Sequence, residues 1–219
     1  MLPFSGDWKI VNSAQQALQR LREGNHRFVT DGVGKGSGSD QSRRSELVDG
    51  QKPFAIVLGC SDSRVPAEIV FDQGLGDLFV IRVAGNIVAP SQIGSVEFAA
   101  SVFGTPLVVV MGHTKCGAVV ATLEELERPT GNRSPNLQTI VNLIRPSVEV
   151  LLEGGLRDDP DELLRAAIRA NIRSSVRQLK AGSKIIEELT EKGRLLVVGA
   201  EYSLETGIVE FFDGLPETG

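Results

Sequence analysis

Short, nearly all-apolar runs alternate along this chain with longer amphipathic stretches, and most of the runs end in glycine or a polar cluster. FAIVLG (Phe54–Gly59), DLFVIRVAG (Asp77–Gly85), PLVVVMGH (Pro106–His113) and RLLVVGA (Arg194–Ala200) have the length and β-branched content of strands. A fifth run, GIVEFFD (Gly207–Asp213), alternates more and reads as an edge strand. Between them the pattern predicts helices over Ser91–Gly104, from Gly117 towards Glu127, over roughly Pro160–Leu179 and over Ser183–Thr190. The polar stretch Thr130–Asn136 reads as a surface turn before a further helix. Strands that are apolar on both faces must be covered on both sides, which implies a parallel sheet between helices.

At the N-terminal side, SAQQALQRLREGNHRFV reads as an amphipathic helix with Ser13 as its N-cap and Ala17, Leu18, Leu21 and Phe28 on its apolar face. The glycine- and serine-rich segment that follows, as far as Arg43–Arg44, reads as a solvated loop. The expected fold is α/β: a largely parallel central sheet of four to five strands flanked by helices, with an N-terminal helical arm. Residues 1–50 form that arm and loop within the same domain, and residues 51–219 form the core.

Composition narrows the function classes. A chain of 219 residues with 41% hydrophobic positions can bury a core without a metal or disulfide staple. Its net charge of −5, with no basic stripe, argues against a nucleic-acid partner. Met1–Ile10 holds no apolar stretch of signal-peptide length, and no run approaches the roughly 20 residues that span a bilayer. A cytoplasmic location without a membrane partner is therefore expected. Two cysteines exclude a disulfide-rich scaffold.

Those two cysteines carry the candidate chemistry. Cys60 closes one predicted strand, while His113 and Cys116 lie at and just after the end of another. The carboxyl ends of neighbouring parallel strands share one edge, so the long sequence separation can vanish in space. Two thiolates and an imidazole suit tetrahedral zinc. HTKC alone carries little weight, since two buried thiols and an ordinary histidine would look the same. The run CSDSR at the other strand end changes this: Asp62 could approach the same metal, and Arg64 could pair with it bidentately. GLGD (Gly74–Asp77) lacks dinucleotide-binding spacing and reads as a packing turn.

The strings Cys60-Ser-Asp-Ser-Arg64-Val65 and Gly112-His-Thr-Lys-Cys116-Gly117 resemble the signature of the beta-class carbonic anhydrases. The similarity continues through Phe71–Asn86 and Gly94–Phe98, and is strong from about Gln51 to Val119. The resemblance implies one zinc ion per subunit on Cys60, His113 and Cys116, and an Asp62–Arg64 dyad that leaves the fourth position open. In a closed, inactive state Asp62 would bind the metal itself. It further implies Gln51 as a catalytic hydrogen-bond donor, pocket walls from Phe79, Phe98, Val65 and Gly117, and a homodimer or homotetramer with active clefts near the subunit interface. The N-terminal helices of such enzymes embrace the partner, which suggests that role for Ser13–Val29.

The activity so implied is hydration of carbon dioxide to bicarbonate and a proton by attack of zinc-bound hydroxide, rising towards alkaline pH. Two departures stand out. Phe98 replaces a tyrosine common near the cleft, and Val57 replaces a tryptophan of an inhibitory bicarbonate site, leaving Arg82 as that site's matching residue. An incomplete inhibitory site favours the open state. His26 is read as a surface or interface residue rather than a proton shuttle. A zinc hydrolase of another small heterocumulene, such as carbon disulfide, and a non-catalytic bicarbonate- or zinc-binding regulator are the competing functions.

Overall fold

The computed structural model describes residues 13–30, 41–129, 134–153 and 156–216. Its strands are β1 (Ala55–Gly59), β2 (Leu78–Arg82), β3 (Leu107–His113), β4 (Leu196–Tyr202) and β5 (Val209–Asp213). They form one sheet in the order β2-β1-β3-β4-β5, parallel throughout except for the antiparallel β4–β5 pair. β1 and β3 are buried along their whole length, as their unbroken apolar runs require.

Among the described residues, eight α-helices surround or flank the sheet: α1 (Ser13–Val29), α2 (Gln41–Glu46), α3 (Ala67–Val70), α4 (Pro90–Val102), α5 (Gly117–Glu127), α6 (Pro135–Glu153), α7 (Pro160–Ala181) and α8 (Lys184–Glu191). One apolar layer joins a face of the sheet to α4 through α8, and a second joins the other face to α1 and the α3 region. A Cβ on Gly112 would lie 2.6 Å from Ile172 Cδ1, so glycine at the end of β3 lets α7 seat directly on the strand. Asp159 and Ser183 cap α7 and α8 through the amides of Glu162 and Ile186, at 3.0 and 3.2 Å.

The α/β class is as expected, and several boundaries move for identifiable reasons. β4 starts at Leu196 rather than Arg194, because the amides of Arg194 and Leu195 are taken by Leu189 O at the end of α8. β5 starts at Val209, since Gly207 closes a turn onto Ser203 O. Gln41–Glu46 is a short helix where a loop was expected, and Arg43 is engaged there by Glu46, Asp77 and the Leu75 carbonyl. The apolar stripe of α1 is seated on its own chain: Leu21 is fully buried, and Asn25 bonds the Val70 and Gly207 carbonyls and the Val209 amide. Only the opposite, polar face of α1 is left for a partner. The capping side chain of Ser13, the glycine-rich loop at 31–40 and the first part of the expected turn at 130–136 lie outside the described residues.

Candidate metal centre

The carboxyl edge of the sheet brings together what the sequence separates. Cys60 follows β1, His113 ends β3, and Cys116 is the N-cap residue of α5. One donor atom from each lies within 4.8 Å of the others, all three residues are buried, and both cysteines are free thiols. His113 is fully buried, yet its Nε2 has no hydrogen-bond partner. Its Nδ1 faces Thr114 O at 2.9 Å, and a proton placed there leaves Nε2 with the free lone pair. An orphaned buried imidazole nitrogen beside two thiols is what a tetrahedral metal site requires. These residues fit zinc.

The protonation pattern agrees with that. Hydrogen bonding from the Cys116 thiol lowers Cys60, with His113 and the Gly85 amide adding to it against burial. The same contact, with burial, pushes Cys116 well up. Burial opposes charge on His113, but the nearby Cys60 sulfur, the Thr114 carbonyl and the Asp62 carboxylate together outweigh burial and raise it. A divalent cation bound by this set would displace the thiol proton.

Asp62 lies at the rim. Its Oδ2 is 3.8 Å from His113 Nε2 and 2.7 Å from Arg64 Nη2, so the carboxylate is committed to the arginine while remaining beside the ligand set. Arg82, the residue matched to an anion site by the sequence, instead donates to the carbonyls of Cys60 and Asp62, at 2.9 and 2.5 Å. It staples the loop that carries both groups. Val57, which pairs with Val80 in the β1–β2 register, is a fully buried core residue. Gly117 is exposed next to Cys116, with open space where a Cβ would be, and Val65 is buried behind the dyad.

The remaining expected site residues are elsewhere in this chain. Gln51 precedes β1 and therefore sits at the amino edge of the sheet, opposite Cys60. Phe79 is the second residue of β2, three residues short of Arg82, or roughly 10 Å at about 3.3 Å per residue. Phe79, Phe98 and Phe103 form a ring cluster with centroids 5.4 to 6.3 Å apart. Phe103 also lines a surface hollow with Gln51, and Phe98 is 50% exposed. The structure thus assembles Cys60, His113, Cys116, Asp62, Arg64, Val65 and Gly117 at one edge, and Gln51, Phe79 and Phe98 as a second group away from it. The sequence reading missed Gly85, whose N–H meets Cys60 Sγ at 3.4 Å, and the stapling role of Arg82. The glycine that follows DLFVIRVA was the available signal for the first.

Comparison with known proteins agrees with this site. The family profile described as carbonic anhydrase matches residues 55–209. Carbonic anhydrase 2 of Mycobacterium tuberculosis is 39% identical over 206 residues, covering 93% of this chain and 95% of its own length. A carbonic anhydrase of Mycolicibacterium smegmatis is 39% identical over 207 residues, with the same 93% and 95% coverage. Among solved structures, the β-carbonic anhydrase CafA of Aspergillus fumigatus superposes with a TM-score of 0.69 at 26% identity, covering 92% of this chain and 91% of that one. The chain belongs to the beta-class carbonic anhydrase family. Among the described residues no helix is long and apolar enough to cross a membrane.

Proposed function

We propose that this chain catalyses the zinc-dependent reversible hydration of carbon dioxide to bicarbonate and a proton, with Cys60, His113 and Cys116 holding one zinc per subunit. The observation that carries this is the buried Cys–His–Cys set with an orphaned imidazole nitrogen, flanked by a carboxylate already engaged by Arg64. Zinc in such a site supplies the Lewis acidity that makes a hydroxide nucleophile available near neutral pH. Asp62 accepts a hydrogen bond from the nucleophile's O–H and orients its lone pair, and Arg64 keeps that carboxylate off the metal. Val65 and the open side of Gly117 border the nonpolar substrate. The catalytic core is residues 51–219, with residues 1–50 as its arm.

Gln51, Phe79 and Phe98 serve the site of a second copy. They cannot reach their own chain's ligands, yet they group on an exposed aromatic surface that a symmetric partner can place over its own carboxyl edge. This makes the active unit at least a homodimer. Two free thiols at ligand spacing suit a reducing compartment such as the cytoplasm.

The test is stopped-flow hydration of carbon dioxide by purified protein with quantified zinc, from about pH 6.5 to 9, beside Asp62→Ala. Expected are zinc-dependent turnover that rises with pH and a fall of about 10²-fold or more in the variant. Turnover no faster than buffer at full zinc occupancy would overturn the proposal and favour carbon disulfide hydrolysis or bicarbonate sensing.

A further inference from the structure

The turn Ala84–Asn86 lies directly against the candidate ligand Cys60. Gly85 and Asn86 follow one another in left-handed conformation, with φ of 70° and 44°. That is routine for glycine and uncommon for asparagine. The Gly85 N–H is directed at Cys60 Sγ, the Asn86 N–H closes the turn onto Val83 O at 3.1 Å, and the turn's carbonyls are held from outside. Two side chains of α7 do this. Asn171 Nδ2 donates to Gly85 O at 2.8 Å, and Ser175 Oγ donates to Asn86 O at 3.0 Å.

Asn171 and Ser175 are 2% and 1% exposed. They stand one helical turn apart on a face otherwise built from Leu163, Ala167, Ile168, Ile172, Val176 and Leu179. A polar side chain buried among such neighbours is costly unless its hydrogen bonds are made. Both residues make theirs to the same turn, the one whose amide meets a candidate ligand.

We infer that Asn171 and Ser175 are positioning residues of the metal centre, anchoring the Ala84–Asn86 turn so that the Gly85 N–H stays on the Cys60 sulfur. This rests on the reading of Cys60, His113 and Cys116 as ligands. An N–H···S bond draws some charge from the thiolate but fixes the sulfur's position against its co-ligands, and that fixed position is what retains the metal. Partners that orient ligands in this way are typically worth 10- to 100-fold in metal affinity.

The experiment compares wild type, Asn171→Leu, Ser175→Ala and, as a packing control on the same helix, Val176→Ala. Each is read by zinc loss to a chelator and by the thiolate-to-cobalt absorption of the cobalt-substituted protein. Asn171→Leu and Ser175→Ala are expected to lose zinc roughly 10-fold faster or more. Their absorption should move to longer wavelength, because a thiolate without its N–H partner is a better donor. Val176→Ala should lose stability and leave both metal readouts at wild-type values. Ser175→Ala removes a single oxygen and carries the test even where Asn171→Leu does not fold. Wild-type zinc retention and absorption in the turn-anchoring variants would overturn the inference alone. Wild-type protein that takes up no stoichiometric metal would overturn the ligand reading, and the inference with it.

Discussion

Arg64 grips both carboxylate oxygens of Asp62, Nε on Oδ1 at 2.9 Å and Nη2 on Oδ2 at 2.7 Å, and its own amide N–H adds a third bond to Oδ1 at 3.0 Å. The carboxylate is thereby directed away from His113 Nε2, 3.8 Å from Oδ2. Removing the arginine side chain frees an anion beside a cation site. Arg64→Ala is therefore expected to retain zinc and lose activity by about 10²-fold or more. X-ray absorption at the zinc edge should then show an added carboxylate oxygen at the metal. An unchanged zinc environment would mean that Arg64 does not hold the site open.

The same pair sets an acid dependence. Hydrogen bonding by the Arg64 side chain holds the Asp62 carboxyl well below the usual carboxylate range, against a smaller opposing effect of burial. The folded chain then binds that proton less readily than the unfolded chain. The resulting stabilisation is complete above the unfolded carboxylate value, about 3.9, and is lost as pH falls from there towards the folded value. The difference in denaturant midpoint between wild type and Arg64→Ala should hold steady from about pH 8 to 5 and shrink below about pH 4. A difference that persists unchanged in acid would point to packing instead. Over the steady range Asp62 stays ionised, so any loss of activity there belongs to another group.

Zinc held by Cys60, His113 and Cys116 would also stabilise the fold. A ligand present at about 1,000 times its Kd adds about 4 kcal/mol. Chelation is expected to lower the Tm of wild type. Cys116→Ser, whose hydroxyl replaces a thiolate, should start from the lower Tm and respond little. The variant should still fold, because the two apolar layers of the sheet do not depend on the ligands. Equal responses to chelator in the two proteins would remove Cys116 from the ligand set.

Asn25 offers a stability test away from the metal. Its side chain ties α1 to Val70 O at 3.1 Å, Gly207 O at 2.8 Å and Val209 N at 2.8 Å. Asn25→Leu leaves these groups unpaired in a buried setting and should cost about 2–4 kcal/mol. Zinc content of the folded fraction should not change. A loss below 1 kcal/mol by denaturant titration, roughly the worth of one net hydrogen bond, would show that the Asn25 bonds are not what holds α1 to the core.

What could be read from the chain follows its physics. FAIVLG and PLVVVMGH announce buried parallel strands because they are apolar on both faces, and strand ends that share an edge made Cys60, His113 and Cys116 a credible set. α2 and α3 escaped notice because helices of six and four residues carry no usable periodicity. The start of β4 shifted because backbone amides of Arg194 and Leu195 are claimed by a preceding helix, a competition that side-chain pattern does not record. Asn171 and Ser175 read only as interruptions of an apolar face, since what makes them meaningful is a turn 86 and 89 residues earlier. Gln51 could be named only from resemblance, and the strand already expected at Phe54–Gly59 places it at the opposite sheet edge from Cys60, a separation the resemblance alone does not express.

That separation yields a test of shared sites. If Gln51 completes the site of a second copy, a chain carrying Gln51→Ala still supplies metal ligands, and one carrying His113→Ala still supplies Gln51. Each variant alone should be nearly inactive. Mixed and reassembled, hybrid dimers contain one site with intact ligands facing an intact Gln51, so activity should return to about one quarter of wild type. The figure assumes random pairing, in which half of the dimers are hybrids with one working site each, and at-least-dimeric assembly as in two-fold symmetric oligomers. Phe98→Glu, placed on the half-exposed ring that the partner would cover, should break the assembly on size-exclusion chromatography and abolish the rescue. Mixtures that stay as inactive as their components, in an intact oligomer, would assign Gln51 no part in the partner's site.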